Sequence, residues 1–552
     1  MTRHYHTLLL SGIALLGTSV SWGQTVQKDT TMNRTVVVEQ NYNPIIPNAS
    51  KINVLPKIEE PQISKKSVEY ATAIYPATAL PDEFLKAYVP FEKQSDGKSG
   101  YARLGYGNYG NLDILGNYLF RLSKKDRLNA RLQMDGRDGT FTLPQSADEQ
   151  WSSYYYRTQV ALDYLHQFRT VDLGAGGHWG VSNFNLLPPS GGKQHFSSGD
   201  LYVQVKSTEE NLPVQFEVET GMLWYDRQKS PVLDENDREM QLRLQGFIRG
   251  AINDEQSVTI ASRLQYLSYT NAMKDPEALY QNRTLLDLNP YYGMNTDNWR
   301  LRLGANVDFS FGSGKTLRFS PDLKADYILS DGYVLYGQAT GGRQLNDFRR
   351  LEQICPYALP INVVNDTYEQ LNAALGFKMS PYPGLWFNVY GGYQNVKDEL
   401  YESGVVAEGQ PDNRTINLKA VDATNAFVGL KTAYQYKDLF SLNIDGVYRH
   451  WKADADPLAT DPLALKPQLK ASLEIGVRPI AGLLLNTGYV YTSWSEKGMP
   501  KVNNLYLNAT YKLYKGASLY ARFDNMLNKS YQYHLFYPTE GFNFVGGVSF
   551  EF

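Results

Sequence analysis

The chain ends in the stretch LYARFDNMLNKSYQYHLFYPTEGFNFVGGVSFEF, residues 519–552. One side of its final run carries Phe542, Phe544, Val548, Phe550 and Phe552. The other side carries Asn543, Ser549 and Glu551. Because successive side chains of a β-strand point to opposite faces, this alternation predicts a strand with one apolar face and one polar face.

The same alternation recurs from Tyr101 onward and is clearest in residues 299–312. There Trp299 begins a row of apolar residues at every second position, and Arg300 and Arg302 fall on the opposite face. Charges at this spacing do not fit the buried core of a β-sandwich, whereas in a membrane barrel they face a wet lumen. The pattern therefore predicts an all-β fold: a transmembrane, antiparallel, up-and-down β-barrel of about 22 strands.

The composition agrees with a barrel in a membrane. The chain contains 41 Tyr, 23 Phe and 8 Trp, and aromatic residues at this density suit the girdles at membrane–water interfaces. By composition alone, an aromatic-rich secreted β protein is the alternative. The formal net charge is −3, from 54 basic and 57 acidic residues, which argues against a nucleic-acid partner.

The predicted connections between strands alternate in length. Short turns such as 123–126 and 437–438 alternate with longer polar loops. The predicted long loops are 135–153, 179–199, 225–239, 269–283, 342–366, 397–424, 451–465, 494–502 and 525–541. This asymmetry is typical of outer-membrane barrels, which have short periplasmic turns and long outside loops. Two connections, 108–111 and 312–315, are short where the pattern expects long loops.

The N-terminal part divides into two segments before the barrel. Residues 1–23 are predicted to be a signal peptide, because Arg3 precedes an apolar run over 8–16 and small residues stand at Ser21 and Gly23. Residues 24–97 are rich in proline and are predicted to be extended, either periplasmic or threaded through the lumen. Residues 98–552 form the predicted barrel.

The C-terminal motifs resemble those of TonB-dependent receptors. The elements Asn-Met-Leu-Asn-Lys-Ser-Tyr at 525–531 and Tyr-Pro-Thr-Glu-Gly at 537–541 precede an amphipathic last strand that ends in Phe. The start of the barrel is similar to receptor-like barrels of Bacteroidota. The resemblance implies a receptor-type barrel in the outer membrane of a Gram-negative bacterium, with the N-terminal segment and the C-terminus in the periplasm. It also implies recognition of Phe550 and Phe552 by the barrel assembly machinery.

The segment before the barrel departs from that family. Residues 24–97 are too few and too rich in proline for a full plug domain, so we expect none. Within the segment, Thr35, Val36, Val37, Val38 and Glu39 resemble a TonB box, which TonB binds by adding a strand. A strand that packs on the protein's own barrel is an equal alternative. A separate plug or a surface lipoprotein is a further candidate partner, besides outer-membrane lipid.

The candidate site residues are charged side chains predicted to face the lumen. They are Arg103, Arg131, Arg300, Arg302, Asp308, Asp445 and Arg449. Their mixed charges argue against a strongly anion- or cation-selective lumen. The sequence spacing indicates no catalytic constellation, no metal site and no cofactor, and the single cysteine, Cys355, falls in a predicted loop.

Three functional hypotheses follow from these patterns. The favoured one is an outer-membrane receptor or transporter with TonB-linked uptake of an unidentified ligand. A non-transporting envelope interaction or assembly scaffold fits the long loops and the proline-rich segment. A passive pore is the third, and a lumen of this width leaks unless something fills it.

Overall fold

The computed structural model describes residues 98–143, 149–188, 192–208, 212–228, 237–270, 280–312, 314–330, 332–359, 363–407, 410–454, 462–496 and 498–552. The predicted signal peptide, the proline-rich segment and the TonB-box-like residues 35–39 lie outside these described residues. Among the described residues, no helix is long and apolar enough to span a membrane.

The described chain consists almost entirely of β-strands. The strands are β1 (Gly100–Gly107), β2 (Leu112–Arg121), β3 (Asp126–Thr142), β4 (Gln150–Gln167), β5 (Val171–Asn185), β6 (Lys193–Ser207), β7 (Val214–Gln228), β8 (Asp237–Ala251), β9 (Gln256–Tyr269), β10 (Arg283–Asn295), β11 (Trp299–Phe311), β12 (Leu317–Ser330), β13 (Tyr333–Gln344), β14 (Ala358–Leu359), β15 (Thr367–Tyr382), β16 (Leu385–Ala407), β17 (Gln410–Tyr436), β18 (Phe440–Ala453), β19 (Pro467–Ile480), β20 (Leu483–Trp494), β21 (Val502–Tyr514), β22 (Ala517–Asp524), β23 (Gln532–His534), β24 (Tyr537–Pro538) and β25 (Asn543–Glu551). One α-helix, α1, spans Phe348–Ile354.

Twenty-two of these strands form a closed antiparallel barrel. Each wall strand pairs with the next along the chain, and β25 pairs with both β22 and β1. The closing register runs from Tyr101 opposite Glu551 to Gly107 opposite Val545. The three short strands β14, β23 and β24 are not part of the wall. The predicted up-and-down barrel and its strand number are therefore confirmed.

The last strand shows why the alternating sequence folds into a wall. Phe544, Phe550 and Phe552 are 40%, 43% and 59% exposed, whereas Asn543 and Ser549 on the opposite face are buried. Large exposed apolar side chains repeat around the barrel, and examples are Leu104, Leu132, Leu162, Leu201, Leu242, Ile260, Leu303, Leu323, Leu335, Leu375, Val389 and Val428. An outward apolar surface of this extent is compatible with lipid and not with water.

The two ends of the barrel differ in their connections. We call the end with tight connections, such as the turn between β2 and β3, the turn end, and the opposite end the loop end. Several predicted loops at the loop end are strand extensions. Residues 397–424 lie mostly in the long hairpin of β16 and β17, and β3 and β4 continue through most of 135–153. These extensions lack the outward row of apolar residues that is typical of a membrane strand. The sequence pattern therefore predicted loops there.

The connection between β13 and β15 differs most from its prediction as a polar outside loop. It contains α1 and β14, and β14 pairs in parallel with β17 at Ile416 and Asn417. Phe348, Cys355 and Tyr357 in this connection are buried. The reason is an apolar stripe at helical spacing, which includes Phe348, Leu351 and Ile354 and which needs a partner surface.

Candidate functional site: the loop cluster inside the barrel

Two connections fold inward at the loop end and pack against each other and against side chains of the wall. They are residues 345–359, between β13 and β15, and residues 531–540, between β22 and β25. Together with the wall side chains that they contact, we call them the loop cluster. Its buried core includes Trp151, Tyr155, Phe184, Leu187, Phe196, Tyr225, Leu267, Tyr269, Leu285, Phe348, Tyr357, Leu535 and Tyr537.

Helix α1 is held against the wall by an aromatic anchor. The helix begins after Asp347, whose side chain accepts a hydrogen bond of 2.8 Å from the backbone N–H of Arg350. Phe348 then contacts the rings of Tyr225, Tyr269 and Tyr280, with centroids 4.9–5.6 Å away. Aromatic contacts of this geometry stabilise by about 0.5–1.5 kcal/mol each beyond the burial of their surface.

Two arginines connect this segment to the wall through backbone carbonyls. The Arg349 guanidinium donates hydrogen bonds to the carbonyl oxygens of Gly199 and Trp224, the latter at 3.2 Å. From the wall, Arg227 Nη1 donates to the carbonyl oxygen of Ala358 at 3.0 Å. Buried guanidinium groups need such partners, and here the loop and the wall supply them to each other.

Tyr357 joins the two inward connections. Its ring stacks on Tyr537 with centroids 3.7 Å apart and an interplanar angle of 10°. The rings of Trp151 and Phe184 on the wall pack against the Tyr357 ring in a T-shaped geometry, with centroids 6.3 and 5.6 Å away. The tyrosine pair is therefore the central contact between residues 345–359 and residues 531–540.

The asparagine motif of the last connection forms a turn. Asn525 and Asn528 have positive φ angles of 47° and 49°, which asparagine tolerates better than most residues. Asn525 Nδ2 donates to the carbonyl oxygens of Lys529 and Glu540 at 2.8 and 2.9 Å. Asn528 Oδ1 accepts from the backbone N–H of Phe542 at 2.9 Å. The motif that carries the family resemblance thus fixes both ends of the connection that enters the lumen.

A buried ion pair links residues 531–540 to wall strand β3. Arg137 Nη1 lies 3.2 Å from Glu540 Oε1, and Arg137 Nη2 donates to the Tyr357 hydroxyl at 3.4 Å. Glu540 Oε2 also accepts from Asn111 Nδ2 at 3.0 Å. Because removing one partner of a buried pair leaves an uncompensated charge, this network favours the inward position of the connection.

One buried carboxyl in α1 has a perturbed pKa. Burial raises the pKa of Glu352 to about 8, against the effect of the nearby charges of Arg157 and Arg227. A cavity of about 40 Å³ lies beside it, lined in part by Asp237 and Cys355. The loop cluster therefore contains a group that takes up its charge near neutral pH, at a position next to open space.

Three metal-ligand side chains meet within the cluster. Cys355, Glu402 and His534 each place one ligand atom within 4.8 Å of the others. Burial raises the pKa of the Cys355 thiol well above its ordinary value. The sequence spacing had indicated no metal site. These residues come from three distant segments, so no spacing motif could have revealed them.

The predicted lumen residues lie on several strands of the wall, and five have partners on their own or an adjacent strand. Arg103 pairs with Asp113 at 2.8 Å and Arg302 with Asp322 at 2.6 Å, and the Asp445 carboxylate lies 3.4 Å from Lys431. Arg131 Nη2 donates a hydrogen bond of 2.7 Å to Gln133 Oε1. The guanidinium carbon of Arg449 lies 5.2 Å from the centroid of the Phe427 ring. Asp308 is buried, and Arg300 is exposed near the turn end. These residues line the wall and do not form the loop cluster.

Comparisons with known proteins identify the fold. No protein-family model matches the chain. No curated protein matches it either. Solved structures do match. The FrpB iron transporter from Neisseria meningitidis has a TM-score of 0.63 at 10% identity, with 86% of this chain and 83% of that chain covered. The siderophore receptor PirA from Acinetobacter baumannii has a TM-score of 0.63 at 10% identity, with 84% and 81% covered.

A third match is FpvA of P. aeruginosa in complex with pyoverdine and iron. Its TM-score is 0.60 at 12% identity, and 82% of this chain and 72% of that chain are covered. At these identities the similarity concerns the fold. It confirms that the resemblance to TonB-dependent receptors holds for the architecture of the barrel.

Proposed function

We propose that this chain is a receptor-type transport barrel of a Gram-negative outer membrane, with the loop end outside and the N-terminal segment and C-terminus in the periplasm. The number of wall strands, the outward apolar surface and the likeness in fold to an iron transporter and siderophore receptors support this proposal. Lipid surrounds the wall, and the barrel assembly machinery inserts it.

The observation that carries the proposal is the loop cluster. A barrel of about 22 strands encloses a lumen wide enough to leak unless something occupies it. Here residues 345–359 and 531–540 occupy the loop end, with Tyr357 stacked on Tyr537 at their junction. Such an arrangement disfavours a passive pore. In a receptor, these connections are the part that a ligand from outside meets first and that must move before anything passes.

Energy for that movement comes from TonB in our proposal. TonB binds residues 35–39 by pairing its own strand with their backbone, so main-chain hydrogen bonds supply most of the affinity. A separate plug or a surface lipoprotein is a further partner of the receptor in our proposal.

The test measures binding of the purified full chain in detergent to the periplasmic domain of TonB. Wild-type protein should bind. Val37→Pro should not bind, because proline removes a backbone donor in the middle of the added strand. Val37→Thr is the matched control and should keep binding within a few-fold. Equal binding by the proline variant, or no binding by the wild type, would contradict the TonB link.

An envelope interaction role is the second candidate, and the β16–β17 hairpin favours it. These strands have 23 and 27 residues, more than the 9–11 or so needed to cross a membrane, so they extend past the wall at the loop end, where Ile416 and Leu418 pack in the loop cluster. Removing residues 405–414 should then release a stoichiometric envelope partner in native membranes and leave TonB binding intact. If no partner depends on the hairpin, this candidate is wrong.

A further inference from the structure

Cys355, Glu402 and His534 come from three separate parts of the loop-end structure. Cys355 follows α1, Glu402 lies in wall strand β16, and His534 ends β23 in the last connection. One sulfur, one carboxylate oxygen and one ring nitrogen lie within 4.8 Å of one another. All three residues are buried.

The imidazole and the carboxylate are already held in place by their surroundings. Glu402 Oε1 lies 2.6 Å from His534 Nδ1, and Glu402 Oε2 accepts from the backbone N–H of Leu535 at 2.9 Å. The Tyr357 ring packs against the imidazole at 5.6 Å in an edge-on geometry. Ligands whose orientation is fixed by neighbouring groups bind a metal with less loss of entropy.

The ligand set selects a class of cation. Calcium and magnesium take sites made of oxygen ligands, whereas a thiolate with an imidazole and a carboxylate suits Zn²⁺ and chemically similar transition metals. In a tetrahedral zinc site with bonds of about 2.0–2.3 Å, ligand atoms are roughly 3.5 Å apart. Small rotations from the present positions therefore suffice.

We propose that Cys355, Glu402 and His534 bind one thiophilic divalent cation of the Zn²⁺ class. On binding, the S–H bond of Cys355 breaks, a sulfur–metal bond forms, and the proton leaves to solvent. Three protein ligands leave a fourth tetrahedral position for water or a small ligand. The bound cation ties both inward connections to β16. This site does not depend on whether the barrel transports a ligand.

The chain offers a direct spectroscopic test, because Cys355 is its one cysteine. The full chain, purified in detergent and stripped of metal under anaerobic conditions, is titrated with Co²⁺. We expect one Co²⁺ per chain and a thiolate-to-cobalt charge-transfer band in the near ultraviolet, which imidazole and carboxylate ligands alone do not give. Zn²⁺ should displace the cobalt and abolish the band. Absence of the band in the wild-type protein overturns the proposal.

Variants locate the other two ligands. Cys355→Ser should remove the band, and Glu402→Gln and His534→Gln should each weaken cobalt binding by at least about tenfold. His450→Gln, at an exposed position of β18, is the matched control and should leave binding unchanged. Binding that survives in Cys355→Ser at the wild-type affinity would place the metal elsewhere. The wild-type titration decides the question even if a variant fails to insert.

Discussion

The barrel wall and the loop cluster are held together by different forces. The wall is a continuous antiparallel ladder in which each strand pairs with two neighbours, and its side chains are divided between an apolar outward face and a polar inward face. The loop cluster has two residues of parallel pairing, at β14, as its only described ladder with the wall. Its other links to the wall are side-chain contacts such as those of Phe348, Arg349 and Tyr357.

This difference separates two kinds of stability in one chain. Opening the wall breaks many backbone hydrogen bonds at once in a medium that cannot replace them. Opening the loop cluster exchanges side-chain contacts for water at the loop end. The cluster can therefore move while the wall stays intact, as in local opening of other proteins.

The largest expected effect comes from the wall. Changing both Phe550 and Phe552 to Ser places two hydroxyls on the outward face of the closing strand, where the rings are now exposed. We expect near-complete loss of heat-modifiable protein from the outer-membrane fraction. Phe542→Ser, which precedes β25, is the control and should reduce the amount only slightly. Normal insertion of the double variant would show that the closing strand does not carry an assembly signal.

A change in the loop cluster should leave the wall intact. Tyr357→Ala removes the ring between Tyr537 and Trp151 and should destabilise the inward position by roughly 3 kcal/mol. Hydrogen exchange of 345–359 should accelerate by about a hundredfold, while heat modifiability stays as in the wild type. Tyr357→Phe keeps the stack and should cost about 1 kcal/mol. Simultaneous loss of the wall would contradict the separation of the two regions.

The pH dependence of the loop cluster should follow Glu352. Its pKa is raised from about 4.5 in the unfolded chain to about 8 in the fold, so the fold prefers the protonated form. Its stabilising contribution is complete below about pH 4.5 and is lost as the pH rises to about 8. Protection of 345–359 against exchange should thus fall about fiftyfold from pH 6 to pH 8. Glu352→Gln should reduce this dependence, and an unchanged slope would show that Glu352 does not contribute to it.

The smallest effect belongs to an exposed ion pair of the β16–β17 hairpin. Lys397 Nζ lies 2.6 Å from Asp422 Oδ2, and both side chains are about 40% exposed. Exposed pairs contribute little because water and salt screen them. Lys397→Ala should change the stability by less than about 1 kcal/mol in exchange measurements, in the wall and in the loop cluster alike. A larger change would mean that this ion pair is screened less than its exposure implies.

The same contrast explains what the sequence predicts and what it does not. The strand around Arg300 and Arg302 and the last strand follow from a period of two, because each residue's environment is set by the face it occupies. The position of Cys355 beside Glu402 and His534 depends on packing between distant segments, which no local period encodes. One sequence feature indicates helix α1: the helical spacing of the apolar residues Phe348, Leu351 and Ile354. It lies within a segment predicted as a polar loop.

The pairing of β1 with β25 has a consequence for folding kinetics. Nearly every other contact between wall strands joins neighbours along the chain, whereas this seam joins residues more than 400 positions apart, and long-range closure carries the largest entropic cost. Glycines line the seam: a Cβ on Gly107 would meet the carbonyl oxygen of Phe544 at 1.8 Å, and one on Gly547 that of Leu104 at 2.2 Å. We therefore expect closure to be the slow step, and substitution of these glycines by alanine to trap an open sheet that exposes two unpaired edges.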